Sequence, residues 1–263
     1  MTRSRASRVA PLGALVALSA ALALARAVPP ERLDPPASFA APSAAHPLGC
    51  GEGGVDLLAV VSSAELRAVG LAIAVAVFGL AVGAPLGAAA AFARGRSERA
   101  VARACDLVQA FPTFLLAMTV LSAVRAPGRL HIGVVFALTS WAPFARLALA
   151  EARVLRGAAF VEAAQALGLG RAAVLVRHVL PNLLGVLAVQ LGSTAAAVVV
   201  SEAALAFVGF GPRGGVSLGA VLDQGVASML RAPHVLAVGS IAVLVTSASL
   251  MWAGRAAGHD ARA

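Results

Sequence analysis

The chain has 263 residues, 60% hydrophobic and 13% charged, with a formal net charge of +9 and a mean hydropathy of +0.88. Those values lie far from a soluble domain. All 21 basic residues are arginine, and a chain without lysine has neither the P-loop lysine that grips nucleotide phosphates nor a Schiff-base amine.

Uncharged runs cover residues 9–25, 68–93, 107–124, 130–145, 179–201 and 232–254. About 20 apolar residues cross a bilayer core, and a charge at a helix centre costs about 2.5–3.5 kcal/mol, so runs this clean indicate lipid. The expected architecture is all-α and polytopic, with about six transmembrane helices. The run at 130–145 extends to Ala150 if Arg146 snorkels to the interface. A β-barrel would alternate polar and apolar residues instead.

The basic residues divide by loop. With the N-terminus inside, Arg3, Arg5, Arg8, Arg94, Arg96, Arg99, Arg103, Arg146, Arg153, Arg156, Arg171, Arg177, Arg255 and Arg262 are internal. Arg26, Arg32, Arg67, Arg125, Arg129, Arg213 and Arg231 are external. The internal excess predicts that both termini are cytoplasmic, and topology accounts for the charge without nucleic acid.

Along the chain, 1–28 reads as a basic N-terminus and first transmembrane helix. Its ending at Ala23-Leu24-Ala25 also resembles a signal peptide. Residues 29–65, with Pro29-Pro30 and Pro35-Pro36, read as an external linker. Residues 66–254 form the membrane domain, and 255–263 a cytoplasmic tail. Gly79, Gly83 and Gly87 permit close helix contacts. An Arg-dense inner loop at 94–103 precedes a helix beginning near Asp106, with Phe111-Pro112 one turn in. The outer segment 207–231 is glycine-rich.

The loop 151–181 is the largest cytoplasmic insertion. Phe160, Ala163, Ala164 and Leu167 recur at i, i+3, i+4, i+7, one face of a helix. Gly168 and Gly170 provide a stop and turn, and a second short helix, Arg171–Leu180, is expected to end at Pro181. Small residues at Ala163, Ala164 and Gly168 let another protein approach closely, and Glu162 offers a charge. The residues alone equally allow a hairpin that packs beneath its own bundle.

Here the chain resembles the integral membrane subunits of bacterial ABC importers. Their signature is EAA, three residues, Gly, nine residues, an aliphatic position, one residue, then Leu-Pro. Glu162-Ala163-Ala164, Gly168 and Leu180-Pro181 keep that spacing, and His178 stands at the aliphatic position. Phe160 to Gly168 and Arg177 to Asn182 are similar to the dipeptide/oligopeptide/nickel branch. So are His46-Pro47-Leu48-Gly49 with Asp56, Asp106 with Ala110-Phe111-Pro112, Trp141 with Ala145-Arg146, and Ser201 to Leu205.

The resemblance implies a bacterial inner-membrane permease that carries a peptide-like or related small solute inward. It also implies cytoplasmic ABC ATPase subunits that bind the ATP, a second homologous permease, and an external solute-binding protein. The ATPase-docking residues so implied are Glu162, Ala163, Ala164, Leu167, Gly168, Leu180 and Pro181. The chain departs from the branch at Cys50, Gly51, Val55, Leu218 and Ala253, which bears on contacts with a binding protein or partner permease. Two rivals stand beside this reading: an ATPase-independent secondary transporter, and a non-transporting paralogue. The spans are expected to lack the buried carboxylates that ion coupling uses. Glu202 is expected near the outer interface, and Arg146 and Glu151 are expected to anchor a helix end. Five scattered histidines show no metal-ligand spacing.

Overall fold

The computed structural model describes residues 29–30, 32–125, 128–211 and 216–260; the expected first span at 9–28 lies outside them. Helix α1 (Leu57–Ala93) is 37 residues long, about 55 Å at 1.5 Å per residue, against a bilayer core of about 30 Å. It therefore begins nine residues before the expected boundary at 66 and projects beyond lipid. Its start is set by Asp56, whose carboxylate accepts from the Leu58 and Ala59 backbone N–H groups at 2.9 and 3.2 Å. This satisfies two donors that a helix N-terminus leaves open.

Helix α2 (Gly95–Ala110) follows at once, turned by Arg94 and Gly95, both at positive φ. The expected inner loop at 94–103 is thus helical, and the helix placed near Asp106 starts eleven residues earlier, at Gly95. Arg96, Arg99 and Arg103 recur at i, i+3, i+7 on its exposed face, while Cys105 is buried on the other. Phe111-Pro112 does not lie one turn into a helix; it separates α2 from α3 (Thr113–Ser122), bent by 68°, and Pro112 stands at the start of α3. Phe111 has φ −92° and ψ 125°, the extended geometry that a following proline ring imposes.

Helix α4 (Arg129–Leu155) crosses α1 closely. A Cβ added at Gly79, Gly83 or Gly87 would lie 2.7, 2.2 or 2.1 Å from the carbonyl oxygens of Ser140, Trp141 and Ala145. The expected close contact is present, and only glycine allows it. Helices α5 (Ala159–Ala166) and α6 (Arg171–Val174) form the connecting hairpin. A π-turn, Leu175–Val179, then leads without a break into α7 (Leu180–Leu205). The short helix expected to end at Pro181 is therefore continuous with the next span. The π-turn carries the Leu180 N–H back to the Leu175 carbonyl, widening the coil where a proline ring would clash with the carbonyl four residues earlier.

The segment expected outside contains a ten-residue helix, α8 (Leu218–Ala227), capped by the Ser217 hydroxyl, and the chain continues into α9 (Pro233–Asp260). Among the described residues, four helical stretches are long and apolar enough to cross a membrane: α1, α4, the unit Arg171–Phe210 and α9; the bent pair α2–α3 makes up to a fifth.

Among the described residues the three larger of four apolar clusters are spread along the bundle. At the Arg-rich end, Ala88, Phe92, Phe144, Ala152, Val161 and Val179 pack together. The middle is built around Ala72, Val75, Phe136 and Val199. At the opposite end, Leu57, Val60, Val221 and Val235 close the bundle under Phe39 and Leu48.

Candidate functional site

Helix α5 hangs from the end of α4 through Arg156, Gly157 and Ala158. Its apolar residues divide between two faces. Val161 is 0% and Ala164 7% exposed, packed in the Arg-rich-end cluster; Phe160 is 42% and Leu167 83% exposed. The face expected from spacing is therefore corrected: Ala164 turns inward, whereas Phe160, Ala163 and Leu167 face outward with Glu162 beside them. The hairpin does pack beneath its own bundle: α5 contributes Val161 and Ala164, and Leu169 and Val174 join them from the turn and α6. Burial of the two α5 side chains is worth about 3 kcal/mol before chain entropy, which holds a short helix only with help from its ends.

The C-terminal end supplies that help. Gly168 takes φ +87°, its N–H donates to the Gln165 carbonyl at 3.0 Å, and the Leu169 N–H donates to Ala164 at 3.1 Å. This is the paired closure of a Schellman motif, and Leu169 packs back against the cluster beneath it. A Cβ at Gly168 would meet nothing within 4 Å. The glycine is thus required by backbone conformation and leaves an open tip.

Leu180 is half-buried against the same cluster as Ala164, and Pro181 is exposed one residue beyond. The structure brings together the undersides of Ala164 and Leu180; Glu162, Leu167 and Gly168 form the free rim, and Pro181 lies apart on the helix that continues into the membrane. His178 lies within the π-turn, where its carbonyl accepts from the Asn182 side chain at 2.6 Å. Among the described residues its buried Nδ1 has no hydrogen-bond partner.

Sequence reasoning missed the charges bracing this end. Glu98 on α2 accepts from Arg153 Nε and lies 3.7 Å from Arg156 Nη1, which also donates to the Ala91 carbonyl at 2.7 Å. One arginine thus ties the ends of α1, α2 and α4. Arg146, expected with Glu151 at a helix end, pairs with Asp106 on α2. Both partners are more than half exposed, so that pair adds about 0–1 kcal/mol.

The opposite end is closed by the sequence around His46. His46 Nδ1 bonds Asp56 Oδ2 at 2.9 Å, so one carboxylate holds both the segment and the α1 cap. Cys50 is fully buried, and burial, followed by the Asp56 and Asp34 carboxylates, pushes its thiol up. Of the departures, Cys50, Gly51, Leu218 and Ala253 are buried, and Val55 is half-buried. The spans hold buried carboxylates after all: Glu65 on α1, which accepts from Thr246 Oγ1 of α9 at 2.9 Å, and Glu202 near the end of α7. Both lie near the His46 end of their helices, which for Glu202 fits the expected rise, but their burial was not foreseen.

The family model described as "Binding-protein-dependent transport system inner membrane component" matches residues 83–259. The glutathione transport system permease protein GsiD of Pectobacterium atrosepticum is 30% identical over 206 residues, covering 78% of this chain and 68% of that protein. GsiD of Shigella dysenteriae serotype 1 is 32% identical over 210 residues, with the same coverage. A solved structure of the MetNI methionine ABC transporter in inward-facing conformations shares the fold. Its TM-score is 0.65 at 17% identity, covering 77% of this chain and 96% of that one. This chain belongs to the binding-protein-dependent transport system inner membrane component family.

Proposed function

We propose that the outward face of α5 is where a cytoplasmic ATPase grips this protein, a transmembrane permease subunit of an ATP-driven ABC importer. The single observation carrying the docking assignment is the division of α5. Val161 is sealed into the bundle while Leu167, two turns on, is 83% exposed beside an open glycine tip. A rigid helix fixed on one side and apolar on the other converts a push from outside into movement of the helices it is fixed to. Phe160, Ala163 and Leu167 supply the apolar contact, Glu162 a charge for a cationic partner, and Gly168 close access.

Force applied there passes through Val161 and Ala164 to Phe92, Phe144 and Ala152, and through Arg156 to the end of α1. The Arg-rich end then faces the cytoplasm with both termini, in keeping with the arginine distribution. The cargo is peptide-like or a related small solute, as the named substrate of the glutathione permease relatives suggests. A second permease and an external binding protein complete the assembly.

The objection to ion coupling drawn from a lack of buried carboxylates no longer stands. Family membership and the uncovered α5 face favour ATP drive. The test is capture of the ATPase encoded with this permease by the detergent-solubilised full chain. Glu162→Arg and Gly168→Trp are expected to weaken capture at least about 30-fold, the effect of losing a contact worth about 2 kcal/mol. Undiminished capture by both variants overturns the assignment.

A further inference from the structure

Two grooves run along opposite sides of α4, and their walls differ in kind. One, of about 610 Å³ against α1, is walled by Leu71, Phe78, Val134 and Leu138. The other, of about 270 Å³ against α7, presents Thr139 and Ser140 of α4 to Gln190, Ser193, Thr194 and Ser201 of α7. The α7 residues recur at i, i+3, i+4 and i+11, one stripe on a helix whose remaining faces are almost wholly apolar. It occupies the middle of the span, where lipid-facing polar groups are disfavoured and polar side chains face partners or water-filled cavities.

Some of these groups have partners. Gln190 Nε2 donates to Thr194 Oγ1 at 3.1 Å, and Ser140 Oγ donates to the Val75 carbonyl at 3.2 Å. The Ser193 side is exposed and the Ser201 side half-buried. Among the described residues no ionisable side chain lines the groove, and Glu202, next to Ser201, is not among its walls. Thr113, at the break between α2 and α3, contributes to the wall beside them.

We infer that the α4–α7 groove is the water-filled, solute-contacting wall of the permeation path, and that it takes hydrogen-bonding solutes such as a peptide backbone without selecting on charge. Hydroxyl and amide groups both donate and accept, as peptide N–H and C=O groups require. A charged wall would instead hold an opposite charge too firmly to release it. The inference rests on the permease reading above but uses different residues from the α5 face.

The test is cysteine reactivity in membrane vesicles carrying the full chain. Thr139→Cys, Ser193→Cys and Ser201→Cys are compared with Val134→Cys and Leu138→Cys in the apolar groove of the same bundle. Native Cys50 and Cys105 are both fully buried, and the unsubstituted chain gives their background. A membrane-impermeant methanethiosulfonate is expected to modify the three polar-groove positions at least about tenfold faster, because an apolar setting that raises a thiol pKa by one unit cuts its thiolate by that factor. Tri-alanine at about 10 mM, enough to fill a site as weak as about 1 mM, is expected to slow modification severalfold.

Equal reactivity in the two grooves overturns the wet-path assignment. So does spontaneous cross-linking of Ser193→Cys or Ser201→Cys to a second copy without reaction with the reagent, which makes the stripe a dry subunit interface. Fast modification that tri-alanine leaves unchanged overturns the solute contact. None of these readouts requires the ATPase, so failure here and failure of α5 docking are distinguishable.

Discussion

The two ends of the bundle both carry exposed apolar residues, but they hold them differently. At the Arg-rich end, Leu167 and Phe160 project from a helix whose other side is locked into the core. At the opposite end, Met229 and Leu230 project from a turn beside a groove of about 460 Å³, and Arg231 lies 4.9 Å from the centroid of the Phe39 ring. A locked helix transmits displacement, whereas a turn conforms to what it meets. The polar groups follow the same division. The far end spends its histidine and aspartate on closing a helix cap, and the Arg-rich end uses Glu98 with Arg153 and Arg156 to brace three helix ends together.

Perturbing the bundle between these ends gives the largest expected effect. Gly83→Val places a side chain 2.2 Å from the Trp141 carbonyl, so α1 and α4 must separate. The expected cost is at the upper end of overpacking, about 3 kcal/mol, read as lost thermal stability in detergent and poor accumulation in the membrane. A variant with unchanged melting shows that the crossing is looser than described.

Asp56→Ala comes next. It removes two bonds to helix N–H groups and the His46 partner, with an expected loss of about 1–2 kcal/mol. Because the damage is confined to the far end, ATPase capture by α5 is expected to persist, which separates the two ends experimentally. Loss of capture in a folded Asp56→Ala protein shows instead that the ends act as one unit.

Glu98→Gln is smaller, about 1 kcal/mol or less for a partly exposed ion pair. Its diagnostic is coupling, not melting: ATP-driven uptake falls while ATPase capture stays intact, because the brace between α2 and α4 is loosened but the α5 face is untouched. The smallest effect is at Cys50. Burial and two nearby carboxylates raise its thiol pKa, so the neutral thiol persists to higher pH than in the unfolded chain. Iodoacetamide at pH 8 is expected to modify folded protein more slowly than denatured protein, and equal rates contradict the buried placement.

The parts of this molecule that depend on local composition were readable from the sequence. Clean apolar runs marked the spans, the glycines at 79, 83 and 87 marked the close crossing, and Gly168 marked the end of α5. Misreadings arose where local composition was ambiguous. The 94–103 arginines read as a loop, although their spacing of three and four residues fits the exposed face of a helix. Pro181 read as the end of one helix and the opening of the next span; it does stand in the first turn of α7, but nothing in the sequence announces the π-turn that makes the two helices continuous. The face of α5 was misassigned because Ala164 and Phe160 are both apolar, and only packing decides which turns inward. Arg146 was read with Glu151 as an anchor of a helix end, and its pairing with Asp106 of α2 is a choice made by tertiary structure. His46 and Asp56 were singled out as a motif, but their joint role as a cap depends on the chain folding back ten residues.

The central claim is that α5 is held on one side and gripped on the other, and photo-cross-linking along that helix tests it most directly. A photoreactive side chain at position 167 or 160 is expected to form an adduct with the ATPase, and one at position 161 is expected to cross-link only within the permease. An adduct pattern in which position 161 reaches the ATPase, or in which position 167 reaches only its own bundle, contradicts the account.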